Sequence, residues 1–391
     1  MNKLRLSAKA LCVLRILCTL SAATAAPSDQ AEQARHILDD TAVKGGLVVH
    51  LGCGDGKLTA ELRANDRYIV HGLDRDAKDI ARARDYIQSL GLYGKVSVDE
   101  FDGRNLPYTD NLVNLIIVED RGSVPVKELD RVLCPNGVAY IRKNGAWTKR
   151  IKPWPAEIDE WTHYLHGSDN NAVAADSVVG PPHHLQWLAN PKHLRAHEYL
   201  NSLSALVSAG GRIFYIIDEG STATVTAPPQ WRLVARDAFN GTLLWKRDIG
   251  PWEGHFRLFR SGPPDIGRRL VAAGDKVYSS LGYGKPVAAF DAATGLTARI
   301  YHDTEGASEI IYSNGRLFAV VGSIDEQAYR ETVENHAPSP APRKKGIVAV
   351  DADSGRLLWR QQDQDTSETL PTAMAVRGER LYFQNTRQLI C

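Results

Sequence analysis

Two different hydrophobic rhythms run along this chain. From Gly46 to Lys143, short apolar runs alternate with amphipathic, charged stretches. Leu47-Val48-Val49-His50-Leu51 is brief and rich in β-branched residues, the mark of a buried strand. It runs directly into Gly52-Cys53-Gly54-Asp55-Gly56, after which Lys57 to Asn65 reads as a helix. Tyr68 to Leu73 predicts a second strand ending at Asp74, and Ala77 to Leu90 has apolar residues at helical spacing. Val96 to Val98, Leu112 to Val118 and Val138 to Ile141 supply three more strands, with a helix over Val126 to Leu133. Strands alternating with helices predict an α/β, Rossmann-like parallel sheet.

After Leu203 the chain repeats itself. Leu233-Val234-Ala235-Arg236-Asp237-Ala238-Phe239-Asn240-Gly241-Thr242-Leu243-Leu244-Trp245 is one copy. Val287 to Gly295 begins a second, and Ile347 to Trp359 is a third. Each predicts strand, tight turn, strand: the Asp bonds the turn amides and the Gly supplies positive φ. Trp245 and Trp359 are placed to dock between neighbouring units; the second copy has Arg299 or Ile300 there. A further hairpin precedes each copy, turning at Gly210-Gly211, Gly274-Asp275 and Asn314-Gly315. Two hairpins make a four-stranded blade, so residues 204–361 hold three blades of an all-β propeller. A fourth opens at Ala373 to Gln384 and stops at Leu389-Ile390-Cys391. An unclosed ring leaves strand edges open, so the chain is expected to be a piece of a longer protein.

The candidate chemistry of the first half is its glycine turn. Alternate glycines let the backbone pass close to a ligand, and the helix that follows offers free N–H groups. Asp74 lies at the end of the next strand, where a carboxylate can accept both hydroxyls of a ribose. A small nucleotide-like molecule is the ligand this order of elements suggests.

These residues resemble a known family. His50-Leu51-Gly52-Cys53-Gly54-Asp55-Gly56 is similar to the first motif of class I S-adenosylmethionine (SAM) methyltransferases. Leu73-Asp74-Arg75-Asp76 resembles their ribose-binding motif, and Asp102 to Tyr108 the segment that lies against the adenine. Glu128 to Gly137 resembles the helix and turn before their fifth strand. The resemblance implies SAM as cofactor, with Gly52, Cys53, Gly54, Gly56, Asp74 and Asp102 binding it. It implies no catalytic residue here. Two positions depart from the pattern: His50 stands where the family carries an acid, and Asn114 where its fourth strand begins with Asp. In the second half, the Ala-x-Asp-x-x-(Thr/Ser)-Gly-x-Leu-x-Trp pattern resembles the docking motif of pyrroloquinoline quinone (PQQ) dehydrogenase propellers. That resemblance brings PQQ in as a lesser cofactor candidate, with no ligand residue to assign.

The N-terminus changes the picture of location. Lys3, Arg5 and Lys9 precede an apolar run from Ala10 to Leu20, then Ala23-Thr24-Ala25. This reads as a signal peptide over residues 1–25, which makes the protein exported, periplasmic or held in the cell envelope. Residues 26–45 are a helical lead-in, 46–148 the α/β domain, 149–200 a linker with a strand entering the propeller, and 201–391 the propeller. No later stretch is long and apolar enough to span a membrane. With 47 basic against 46 acidic residues, nothing calls for a nucleic-acid partner. Cys53, Cys134 and Cys391 are too few and too scattered for a disulfide framework. Six histidines fall between His163 and His197, but H-x-x-H plus H-H is not a zinc spacing, so no metal is expected.

Two functions stay open on these grounds. One is a SAM-dependent methyltransferase of unknown acceptor. The other is a non-catalytic exported propeller, binding protein or carbohydrate, or part of a PQQ-linked oxidoreductase, beside a relict methyltransferase fold.

Overall fold

The computed structural model describes residues 28–391 apart from 179, 182–184, 192–202, 224–226, 251–265, 326, 328–330 and 332–342. The signal peptide expected over residues 1–25 lies outside the described residues, as do His183, His184, His193 and His197.

Six strands form the first sheet: β1 (Gly46–Leu51), β2 (Tyr68–Asp74), β3 (Val96–Glu100), β4 (Val113–Val118), β5 (Leu133–Lys143) and β6 (Ala146–Ile151). Their order is β3-β2-β1-β4-β5-β6, parallel except for β6. Helices α1 (Asp29–Thr41), α2 (Lys57–Glu61), α3 (Ala77–Ser89) and α4 (Val126–Val132) cover it. Side chains alternate along each strand, so both faces are apolar. Val48, Val70, Val98 and Leu115 pack with Ile37 of α1 and Ile87 of α3. Val49, Leu73, Ile116 and Val118 pack with Leu129 and Val132 of α4. Ser28 caps α1 by accepting from Ala31 N at 3.2 Å, and Asp76 caps α3 by accepting from Lys78 N at 2.8 Å.

Two boundaries differ from the sequence reading. The helix after the glycine turn stops at Glu61, four residues short of Asn65, whose side chain accepts from Arg67 N at 3.0 Å in the turn into β2. Strand β6 extends the α/β domain past 148 to Ile151. Asn144 and Gly145 both adopt positive φ, 52° and 82°, a two-residue hairpin matched to strand twist.

Among the described residues, the second half is built from four antiparallel sheets. Blade one contains β7 (Leu203–Ala209), β8 (Arg212–Asp218), β9 (Trp231–Asp237) and β10 (Leu243–Asp248). Blade two contains β11 (Leu270–Ala273), β12 (Lys276–Ser280), β13 (Val287–Asp291) and β14 (Thr297–Tyr301). Blade three contains β15 (Glu309–Ser313), β16 (Arg316–Ser323), β17 (Arg343–Asp351) and β18 (Leu357–Gln361). Then come β19 (Met374–Arg377), β20 (Arg380–Gln384) and β21 (Leu389–Ile390).

An aromatic donor joins blade one to blade two, and another joins blade two to blade three. Trp245 Nε1 donates to the Ala292 carbonyl at 3.0 Å, and the Tyr301 hydroxyl donates to the Ala352 carbonyl at 2.5 Å. Tyr301, not Arg299 or Ile300, therefore takes the tryptophan's place in the second copy. From the linker, Trp187 Nε1 donates to the Ala238 carbonyl at 3.0 Å, the equivalent position in the first turn. Its ring lies against Gly241, where a Cβ would come within 2.4 Å of it. Trp359, next in the series, is 40% exposed.

The linker also laces the blades together. Ser208 N donates to the Trp161 carbonyl at 2.7 Å, and Ala272 N to the Thr162 carbonyl at 2.9 Å. Tyr312 N donates to His163 Nε2 at 3.1 Å, and Val376 N to the Ser168 carbonyl at 2.7 Å. These four donors sit at the same place in the four innermost strands, two residues before each hairpin glycine or asparagine. Segment 161–168 is thus a strap across one mouth of the propeller axis.

The domains meet where β4 begins. Asn114 Nδ2 donates to Asp237 Oδ2 at 2.7 Å, and Asn114 Oδ1 accepts from Asn240 Nδ2 at 2.7 Å and from Leu47 N at 2.8 Å. Lys44 Nζ stands 3.6 Å from Asp291 Oδ2. A cavity of ≈ 290 Å³ remains between the domains, lined in part by Lys44, Asn114, Arg212 and Asp237. It adjoins the start of β4, at the end of the sheet opposite the glycine turn.

Candidate nucleotide-binding site

Strand β1 ends in the centre of the sheet, and the chain folds back there over β2. Gly52 N donates to the Leu73 carbonyl at 2.9 Å, and Gly56 N closes the turn on the Cys53 carbonyl at 3.0 Å. Gly54 adopts φ 52°, and a Cβ placed there would meet nothing within 4 Å. The turn's crest therefore faces open space that a ligand can enter. Gly56 answers to packing instead: its Cβ would lie 2.7 Å from Ala83 Cβ, so the missing methyl lets α3 approach.

Asp74 points at this turn. Its Oδ2 accepts from Gly54 N at 2.9 Å, while Oδ1 accepts from Arg75 N at 2.7 Å and Asp76 N at 3.2 Å. Three main-chain donors fix the carboxylate at the end of β2, with lone pairs left for hydroxyl donors. Turn and acid thus stand side by side as the sequence order suggested. Helix α2 is only Lys57–Glu61, too short for a strong dipole. The amides of Gly52, Cys53, Gly54 and Gly56 are already bonded to Leu73, Asp74 and Cys53, so the turn offers close backbone approach without side-chain bulk rather than free donors.

Cys53 and Asp102 play other parts. The Cys53 side chain is buried, facing Gly72 and Val98 across the core. Burial, and then the Asp74 charge, push its thiol up to about 12, so it stays neutral and only its main chain borders the turn. Asp102 spends both oxygens on its own loop: Oδ1 accepts from Arg104 N at 2.8 Å and Asn105 N at 2.7 Å, and Oδ2 from Asn105 Nδ2 at 2.7 Å. These bonds hold its carboxyl below the usual range. It shapes the rim of the site rather than presenting a free carboxylate.

His50 is buried, with Nδ1 2.9 Å from Thr59 Oγ1 and Nε2 without a partner. Burial lowers its pKa to about 4, against the pull of Asp74. A neutral imidazole thus replaces a charge beneath the turn.

Sequence reasoning missed two relationships nearby. Arg75 Nη2 donates to Asp120 Oδ2 at 2.7 Å, joining the ends of β2 and β4. Tyr108 Oη lies 2.7 Å from His71 Nδ1, and His71 Nε2 lies 3.0 Å from Asp99 Oδ2. In the β2–β3 register His71 pairs with Ser97, and Asp99 lies two residues further along β3 on the same face, a diagonal neighbour that strand register could have suggested.

At the propeller axis, the strap takes one main-chain donor from each innermost strand. A flat quinone at that mouth would have to share it with Trp161 to Ser168. Among the described residues, no three His, Cys, Asp or Glu side chains gather as a metal cluster. No described helix is long and apolar enough to cross a membrane.

Comparison with known proteins gives matches to two separate stretches of the chain. A family model described as methyltransferase domain matches residues 48–137, and one described as outer membrane protein assembly factor BamB matches residues 230–391. Methyltransferase GfsG of Streptomyces halstedii is 35% identical over 113 residues, 27% of this chain and 40% of that protein. Norajmaline N-methyltransferase of Rauvolfia serpentina is 27% identical over 134 residues, 32% of this chain and 46% of that protein. The chain thus spans less than half the length of either relative. A solved SAM-dependent methyltransferase from Aquifex aeolicus is 24% identical over 28% of this chain and 62% of its own, with a TM-score of 0.26. Residues 48–137 of this chain thus carry the likeness to a methyltransferase domain, and residues 230–391 the likeness to PQQ-type propeller repeats.

Proposed function

We propose that the α/β domain binds SAM and passes its methyl group to an acceptor. One observation carries the reading: the Asp74 carboxylate is held against the Gly54 N–H beneath an open face. In this reading Asp74 accepts the ribose hydroxyls. The main chain of Gly52, Cys53, Gly54 and Gly56 lines the rest of the adenosine path, and the Asp102 loop forms its rim. SAM would supply an electrophilic methyl group. The protein's part is to fix the nucleoside and leave the sulfonium open to an acceptor. The two relatives described above are named as methyltransferases, which supports the reaction class.

The propeller would serve as the platform that brings a protein or carbohydrate partner. The basic, apolar, then small-residue N-terminus and the outer-membrane assembly factor model together support export to the periplasm or cell envelope.

A second reading is favoured by the Asn114–Asp237 contact. The α/β unit would be a structural partner of the first blade, with no turnover. Ultraviolet cross-linking with methyl-labelled SAM separates the two. The first reading expects label on peptides from residues 46–76, competed away by S-adenosylhomocysteine. Label that is absent, or not competed, supports the second.

A further inference from the structure

Arg75 follows Asp74 directly, and its side chain crosses the open end of the sheet. β1 lies between β2 and β4, so a bridge from the end of β2 to the segment after β4 passes over the end of β1, where the glycine turn starts. The Arg75–Asp120 pair is that bridge, at 2.7 Å. Asp120 is held for it, with Oδ1 accepting from Gly122 N at 2.9 Å. The path of the arm is kept clear on both sides. A Cβ on Gly103 would fall 2.6 Å from Arg75 Cδ, and one on Gly122 3.2 Å from Arg75 Cζ. Both partners are exposed, at 52% and 64%. The bridge is therefore solvent-facing and weakly held, and salt screens it.

If a nucleoside's ribose is held by Asp74, the adjacent side chain, Arg75, whose arm crosses that end of the sheet, is the nearest candidate to meet its base. The guanidinium is planar and weakly hydrated, and it stacks on aromatic faces. We infer that Arg75 exchanges partners: it pairs with Asp120 across the mouth, and on binding it releases Asp120 and stacks on the base. The inference rests on the nucleotide reading above. It makes Arg75 a specificity-determining residue for aromatic nucleosides, with Asp120 as the competitor the ligand must displace.

The test is calorimetric titration of the full chain with S-adenosylhomocysteine and with 5′-methylthioadenosine, which lacks the amino acid and reports the nucleoside alone. Wild type, Asp120→Asn, Arg75→Ala and Arg75→Lys are compared at low and high salt. Removing the competitor in Asp120→Asn is expected to tighten both ligands about two- to five-fold at low salt, and the gain is expected to vanish at high salt. Arg75→Ala is expected to bind more weakly than Asp120→Asn, and Arg75→Lys not to restore the loss. Asp120→Asn indistinguishable from wild type at low salt, or Arg75→Ala as tight as Asp120→Asn, overturns the exchange while leaving the nucleotide site standing. No binding by any folded form overturns both.

Discussion

Asn114 and Asp237, 123 positions apart, share a 2.7 Å hydrogen bond across the junction of the two domains. Asp237 is buried, and burial raises its carboxyl above the usual range while the Asn114 bond opposes the rise. An aspartate at 114 would remove that donor and set two carboxylates together away from water. Asn114→Asp is therefore expected to destabilise the junction by about 2–4 kcal/mol at neutral pH. Stability should partly recover in acid, where one of the pair takes a proton. Thermal unfolding at pH 7 and pH 5 checks this; equal losses at both would contradict it.

The strap gives stability a pH dependence. Thr162 Oγ1 is 3.2 Å from the His166 carbonyl and 2.7 Å from His163 Nδ1. If the hydroxyl donates to the carbonyl, Nδ1 carries the ring proton and bare Nε2 accepts from Tyr312 N. Burial lowers His163 from 6.5 to about 4. The unfolded chain thus binds a proton that the folded one refuses. Stability from this group is complete above pH 6.5 and is lost as pH falls toward 4, on the order of 3 kcal/mol in all. His50 acts over the same window. Urea unfolding between pH 7 and pH 4 should show this fall, and His163→Gln should remove part of its slope. An unchanged slope would refute the assignment.

The aromatic donors between blades are expected to differ in weight. Tyr301→Phe leaves the Ala352 carbonyl without its buried donor and should cost about 1–3 kcal/mol. Trp245→Ala empties a site where the ring is 8% exposed and should cost about 3–5 kcal/mol. Trp359 is 40% exposed, so its truncation should cost clearly less. Chemical unfolding of the three variants checks the order.

Much of this was legible in the chain, and the gaps have physical causes. Asp-x-x-x-Gly, with Asn240, Thr294 or Ser354 before the glycine, marked the blades because a tight turn needs both a side-chain acceptor and positive φ. Tyr301 escaped notice because it lies two residues beyond the tryptophan position, where alternation returns a side chain to the same face. β6 carried an Asn144-Gly145 turn signal, but its side chains are mostly exposed and give no apolar alternation. The glycine turn and Asp74 were readable as neighbours from strand order alone. Asn114, Asp120 and the self-bonded Asp102 were not, because their partners are set by tertiary approach or by loop geometry.

The central claim is that the turn and Asp74 form one nucleoside site. Calorimetry of the full chain with S-adenosylhomocysteine, beside Asp74→Ala, tests it most directly. The account predicts saturable binding near one ligand per chain, weakened at least about tenfold by the substitution, as loss of charge-assisted bonds to two hydroxyls requires. No heat of binding at millimolar ligand from folded protein, or equal affinity in Asp74→Ala, would contradict it.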